Sequence, residues 1–142
     1  MALYNRRDPQ RRGGGGVFPE RGVMTDKVLV DRQGPIWLLT INRPQVRNAV
    51  DPETMTALRE GVEAAAADAE SRVVVIRGAG GAFSSGADLS AAGQAVLDRE
   101  SAIRILTDVY HPTMKAIRAC PWPVIAAIDG PAAGIGLDLA LA

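Results

Sequence analysis

From Lys27 onward, apolar and polar positions fall into a repeating order of short strands and helices. The runs "KVLVDR" (27–32) and "IWLLTIN" (36–42) read as two strands joined by a hairpin-like turn at Gln33–Gly34–Pro35. Asn42–Arg43–Pro44 ends the second strand. In "DPETMTALREGVEAAAADAE" (51–70), Met55, Leu58, Val62 and Ala65 recur at helical spacing. Asp51 stands where a helix cap is needed, and Pro52 takes the first helical position. "RVVVIRG" (72–78) is a continuous β-branched run, which predicts a strand buried on both faces. A glycine-rich loop, "GAGGAFSSGADLS" (78–90), follows. A helical region then runs from Gln94 to Arg118, interrupted near His111–Pro112. Pro121 and Pro123 bracket a break before the strand "VIAAID" (124–129), the turn "GPAAG" (130–134) and the opening of another helix. Strands alternating with helices predict parallel strands with crossover connections, an α/β fold.

Composition narrows the picture. At 142 residues the chain is one domain or part of one. Aromatic residues make up only 4%, so the core must be packed from Val, Ile, Leu and Ala. Five arginines against two acids give residues 1–23 a charge of +3, which leaves −3 on the remainder of a neutral chain. A slightly acidic body carries no electrostatic footprint for nucleic acid. The Arg/Gly-rich start has neither periodicity nor an apolar signal core, so residues 1–26 read as a disordered leader to a domain at 27–142. The longest apolar stretch, 123–142, holds Asp129, Pro131 and Asp138, which argues against a membrane span. Cys120 stands alone and reads as a small buried apolar residue, fitting a reducing, cytoplasmic setting. With His111 it is too little for a zinc site, and no metal is expected.

Two turns carry the candidate chemistry. In open α/β sheets, ligands gather at the carboxyl ends of strands, and here "FSSGADLS" and "GPAAGIG" both lie there. Their small residues let backbone amides approach a ligand. Two loops presenting N–H groups suit a developing negative oxygen, as in an enolate or a tetrahedral intermediate.

"NRPQVRNAV", "GAFSSGADLS" and "PVIAAIDGPAAGIGLDLALA" resemble, in order and spacing, successive motifs of the crotonase family, the enoyl-CoA hydratase/isomerase superfamily. The resemblance covers Val28 to Ala142. It implies a crotonase-like spiral of ββα units, truncated before the C-terminal helices, from a family of trimers and hexamers that bind acyl-CoA thioesters. Coenzyme A would arrive as part of the substrate, and no separate cofactor is implied. By position, the amides of Ala87 and Ile135 would hold the thioester oxygen. Ala87, Asp88, Leu89 and Ser90 would line the acyl-CoA channel. Val46–Ala49 would lie near the adenine and pantetheine, with Arg47 as a phosphate partner. Asp138 occupies the place of the glutamate that serves hydratases of the family as acid/base. Asp is one methylene shorter, and dienoyl-CoA isomerases resemble the chain more closely at this point. Ile135 replaces the glycine of many relatives, which keeps the amide but adds bulk beside it. The second carboxylate of hydratases comes from a later turn, so this polypeptide is expected to bind acyl-CoA without completing two-carboxylate chemistry. An inactive remnant, or a subunit that borrows helices from a full-length relative, is the competing expectation.

Other readings are weaker. "AFSSG" falls one residue short of a nucleophile elbow, which would make Ser84, with Asp98 or Asp108 and His111, a hydrolase triad. The glycine-rich loops lack the P-loop ending and the third glycine of a dinucleotide fingerprint. His111 reads as a helix-break residue, Trp37 and Trp122 as packing anchors, and Asp88 as a brace for its own loop.

Overall fold

The computed structural model describes residues 21–90 and 99–142, with the side chains of 21–24 set aside. Strands β1 (Arg21–Thr25), β2 (Val28–Gln33) and β3 (Ile36–Ile41) form an antiparallel meander. Helix α1 (Pro52–Ala67) crosses over to β4 (Val73–Gly78), which lies parallel to β3. Helix α2 (Arg99–Ile105) continues through a π-turn at Leu106–Tyr110 into α3 (His111–Ala119). Strand β5 (Val124–Ala127) then joins parallel to β4, and α4 (Ile135–Leu141) follows. The described strands stand in chain order, β1-β2-β3-β4-β5, in one mixed sheet.

The α1 face is the predicted one. Met55, Leu58, Val62 and Ala65 are each fully buried, and each leucine-sized side chain so removed from water is worth about 1.5–3 kcal/mol. The Asp51 carboxylate accepts from the Thr54 N–H at 2.8 Å and from its hydroxyl at 2.7 Å. Pro52 takes the first helical position, and the helix ends at Ala67, short of the predicted Glu70. Helix α3 is tied to α1 by Thr113, whose hydroxyl donates to the Met55 carbonyl at 3.0 Å. The apolar residues of β2, β3 and β4 complete this core, among them Val28, Leu39, Ile41, Val74 and Ile76.

Four differences from the sequence reading have physical causes. The sheet begins at Arg21 rather than Lys27, because Arg21–Val23 pair with Leu29–Asp31; the rest of the leader lies outside the described residues. Strand β4 is buried on one face only, Val74 and Ile76 lying under the helices while Val73 and Val75 are half-buried on the other side. Helix formation does not fail at His111–Pro112. The irregularity is the π-turn before it, closed by the His111 N–H donating to the Leu106 carbonyl, and Pro112, which has no N–H to give, follows that widened turn inside the continuing helix. Cys120 is half-buried, at the edge of the core rather than within it. The two tryptophans do anchor packing. Trp37 donates to Asp68 at 3.0 Å, and Trp122 donates to the Ala65 carbonyl at 3.0 Å with Arg72 over its ring.

Candidate functional site

The site is assembled from the loop after β3 (42–51), the loop after β4 (78–90) and the loop after β5 (128–134). Asn48 joins the first two. It is fully buried in the left-handed region (φ 57°), where asparagine is one of the few tolerated side chains. Its amide donates to the carbonyls of Ala79 and Ala82, both at 2.7 Å, and its oxygen accepts from the Arg43 N–H at 2.9 Å. One side chain thus fixes where the glycine-rich loop leaves β4.

Val50 then sets the orientation of the peptide unit between Gly86 and Ala87. Its N–H donates to the Gly86 carbonyl at 2.8 Å, and its own carbonyl accepts from the Asp88 N–H at 2.9 Å. These bonds form a parallel bridge between Val50 and Ala87. In a trans peptide the N–H points opposite to the C=O of the same plane, and no peptide bond among the described residues is cis. The Ala87 N–H therefore points away from Val50. Ser84 makes a second bridge, to Ala132, on the opposite edge of the loop: its N–H donates to the Pro131 carbonyl at 3.1 Å and its carbonyl accepts from Ala133 at 3.0 Å.

The same logic orients the peptide unit between Gly134 and Ile135. The Gly134 carbonyl accepts from Leu137 at 2.9 Å and Asp138 at 3.1 Å, so it points along α4. The Ile135 N–H points the other way, out of the helix. The two loops touch backbone to backbone at their glycines: a Cβ on Gly86 would meet the Ala133 carbonyl oxygen at 3.0 Å. Among the described residues, neither the Ala87 nor the Ile135 N–H donates to a protein acceptor, while their neighbours Asp88 and Gly136 do.

A charge cluster sequence reasoning missed braces this arrangement. Arg43, only 13% exposed in its side chain, reaches Asp88 at 2.7 Å and Asp51 at 3.5 Å, and also donates to the Ala49 carbonyl. Asp51 pairs with Lys27 at 2.7 Å, and Lys27 also meets Glu53. The other Asp88 oxygen accepts from the Ser90 hydroxyl at 2.6 Å and its N–H at 3.0 Å. The Ser90 hydroxyl and then Arg43 hold the Asp88 carboxyl down at about 2. Burial pushes Asp51 up, but bonds from Lys27 and Thr54 outweigh it and leave that carboxyl below its usual range. Buried Tyr110 completes the brace, its hydroxyl donating to the Val50 carbonyl at 3.1 Å. The signals in the sequence were the "NRP" arginine at a strand end and an asparagine ahead of a helix cap, but neither names its distant partner.

The sequence-predicted residues divide clearly. Ala87, Ile135 and Asp138 are brought to the same pair of loops, with Asp138 exposed and one turn after Ile135 on α4. Among the described residues no side chain pairs with the Asp138 carboxylate. Leu89 is 78% exposed. The Asp88 side chain is committed to Arg43 and Ser90 and its N–H to the Val50 carbonyl, so neither is offered to a ligand. Arg47 is exposed at φ 52°, and its carbonyl accepts from the Ser85 N–H at 3.0 Å. The hydrolase reading loses its nucleophile. Ser84 is fully buried, and its hydroxyl accepts from the Gly86 N–H at 3.2 Å.

Comparison with known proteins agrees with this architecture. A sequence profile of the family described as Enoyl-CoA hydratase/isomerase matches residues 31–142. The chain is 44% identical over 117 residues to "Probable enoyl-CoA hydratase echA14" of Mycobacterium tuberculosis, covering 82% of this chain and 44% of that protein. It is 41% identical over 107 residues to a "Probable enoyl-CoA hydratase" of Rhodobacter capsulatus, covering 74% and 39%. Its fold is similar to the crystal structure of an enoyl-CoA hydratase/carnithine racemase from Magnetospirillum magneticum. There the TM-score is 0.77 at 37% identity, covering 84% of this chain and 44% of that one. The chain belongs to the enoyl-CoA hydratase/isomerase, or crotonase, family. It spans less than half the length of these relatives.

Proposed function

We propose that the chain binds an acyl-CoA thioester and receives its carbonyl oxygen between the N–H groups of Ala87 and Ile135. The observation that carries this reading is the orientation of the two peptide units. Each is held by a hydrogen bond to its carbonyl, from Val50 on one side and from the turn of α4 on the other. Both N–H groups are thereby directed outward from glycines that touch. Such donors strengthen their bonds as the carbonyl gains charge, so they favour an enolate over the ground-state thioester. The reaction class is proton transfer at the carbon next to the thioester carbonyl. Asp138, as a carboxylate, accepts that proton, and the electron pair of the broken C–H bond moves onto the oxygen held by the two amides.

Amide NMR on the 142-residue chain tests the reading. Titration with butyryl-CoA is expected to move the Ala87 and Ile135 N–H resonances downfield, while coenzyme A alone leaves them in place. Equal responses to both would overturn it. A second reading, binding without turnover, is favoured by the unpaired Asp138: the hydratase scheme expected from the family uses two carboxylates, and this one stands without a partner among the described residues. Binding of crotonyl-CoA with hydration no faster than the uncatalysed rate, by the wild-type chain and by Asp138→Asn alike, would establish it.

A further inference from the structure

We infer that Arg43 is a positioning residue for the Ala87 amide, locking the residue that follows the donor to the cap of α1. This rests on the reading that the Ala87 N–H receives a thioester oxygen. The Gly86–Ala87 peptide is fixed on one side by Val50. The next peptide, Ala87–Asp88, is fixed by Val50 through backbone and by Arg43 through the Asp88 side chain. Arg43 is itself held at several points. Its N–H is held by Asn48 at 2.9 Å, and its guanidinium spans Asp88, Asp51 and the Ala49 carbonyl.

A planar five-donor group can hold three acceptors in fixed directions, which a lysine cannot. The two acids it links do separate jobs. Asp51 caps α1 and anchors Lys27, while Asp88 closes its own turn through Ser90. Arg43 thus connects the cap of α1 to the loop that carries the Ala87 amide. A donor that tilts away from the oxygen can still lie in a pocket that binds the coenzyme, but it polarises the carbonyl less. Loss of Arg43 should therefore separate binding from polarisation.

The test is difference infrared spectroscopy on the full 142-residue chain with butyryl-CoA carrying ¹³C at the thioester carbonyl. The wild-type chain is expected to shift the bound carbonyl band to lower frequency. Arg43→Met should abolish most of that shift while affinity falls by no more than about tenfold, the loss of one hydrogen bond. Arg43→Lys should restore part of it. Because Arg43→Met strands a buried Asp88, the double variant Arg43→Met/Asp88→Asn is measured beside it, and where the single variant does not fold the double variant and Arg43→Lys are read instead. A band at the wild-type position in folded Arg43→Met or Arg43→Met/Asp88→Asn overturns the role of Arg43 and leaves the amide site standing. A wild-type chain that binds butyryl-CoA without shifting its carbonyl overturns the amide site, and the role of Arg43 falls with it.

Discussion

Gly86 and Gly134 meet backbone to backbone: a Cβ on Gly134 would stand 3.8 Å from the Gly86 Cα, and one on Gly86 would press on the neighbouring Ala133 carbonyl at 3.0 Å. Both also occupy positive-φ conformations, at 103° and 51°. Gly134 combines its φ with ψ −128°, a region that side chains avoid. Gly86→Ala and Gly134→Ala are each expected to cost about 1–3 kcal/mol in urea unfolding. Both should weaken butyryl-CoA binding beyond what the stability loss explains, because relief of the strain turns the very peptide that carries the donor. Alanine at Gly81, which has positive φ but open space around it, should weaken stability without touching binding.

Acid should unfold the chain through its paired carboxylates. Asp88 is held at about 2, and Asp51 and Asp68 also lie below the ordinary range, Asp68 because bonds from Trp37, the Glu70 N–H and Arg32 outweigh its burial. A carboxyl depressed in the folded state stabilises above its unfolded value and loses that contribution as pH falls through the folded one. Stability is therefore expected to be level near neutrality, to begin falling near pH 4, and to have lost the Asp88 share by about pH 2. Urea midpoints between pH 7 and pH 2 measure this. Asp88→Asn should flatten the fall while lowering the starting value.

How much of this was legible in the sequence depends on the range of each interaction. The α1 face, its Asp51 cap and the order of strands are local patterns, and the periodicity gave them correctly. Strand β1 was not legible, because "RGVMT" has no alternation of its own and is ordered by pairing with β2. The one-sided burial of β4 was misread for a similar reason: a β-branched run declares a strand but not what covers each face. At the site, composition and position showed the two glycine-rich turns, and Ala87, Ile135 and Asp138 were named within them only through the family resemblance. The brace did not announce itself. Arg43 and Asp88 are 45 residues apart, and Asn48 bonds carbonyls 31 and 34 residues away. Such pairs become visible only when the sheet has aligned the loops.

Asn48 should be the most sensitive polar residue of the brace. Its replacement by alanine strands the Ala79 and Ala82 carbonyls and the Arg43 N–H, while keeping a Cβ at a left-handed position. With buried partners left unpaired, the expected loss is about 2–4 kcal/mol by urea unfolding. Asn48→Gly loses the same bonds but relieves the backbone, so it should be the less damaging of the two by roughly 0.5–1 kcal/mol. The reverse order would show that the packing of the Cβ outweighs the backbone strain at this left-handed position.

Tyr110 gives the last test, because its hydroxyl shares the Val50 carbonyl with the Asp88 N–H. Tyr110→Phe removes one of two donors and leaves the carbonyl satisfied, so the expected cost at neutral pH is only about 0.5–1.5 kcal/mol. At alkaline pH the comparison should reverse its trend. Burial, aided by the charges of Asp51 and Asp88, raises the Tyr110 hydroxyl above its ordinary value. A group raised in the folded state stabilises fully below its unfolded value, near 10, and loses that contribution as pH climbs through the folded one. Lys27, raised by its bonds to Asp51 and Glu53, acts with the same sign. The wild-type chain should therefore lose stability above about pH 10, and Tyr110→Phe should lose less over the same interval. The gap between the two urea midpoints is then expected to narrow from pH 8 to pH 11. A gap that stays constant would mean that Tyr110 ionises as readily in the folded chain as in the unfolded one, and that its hydroxyl does not hold Val50.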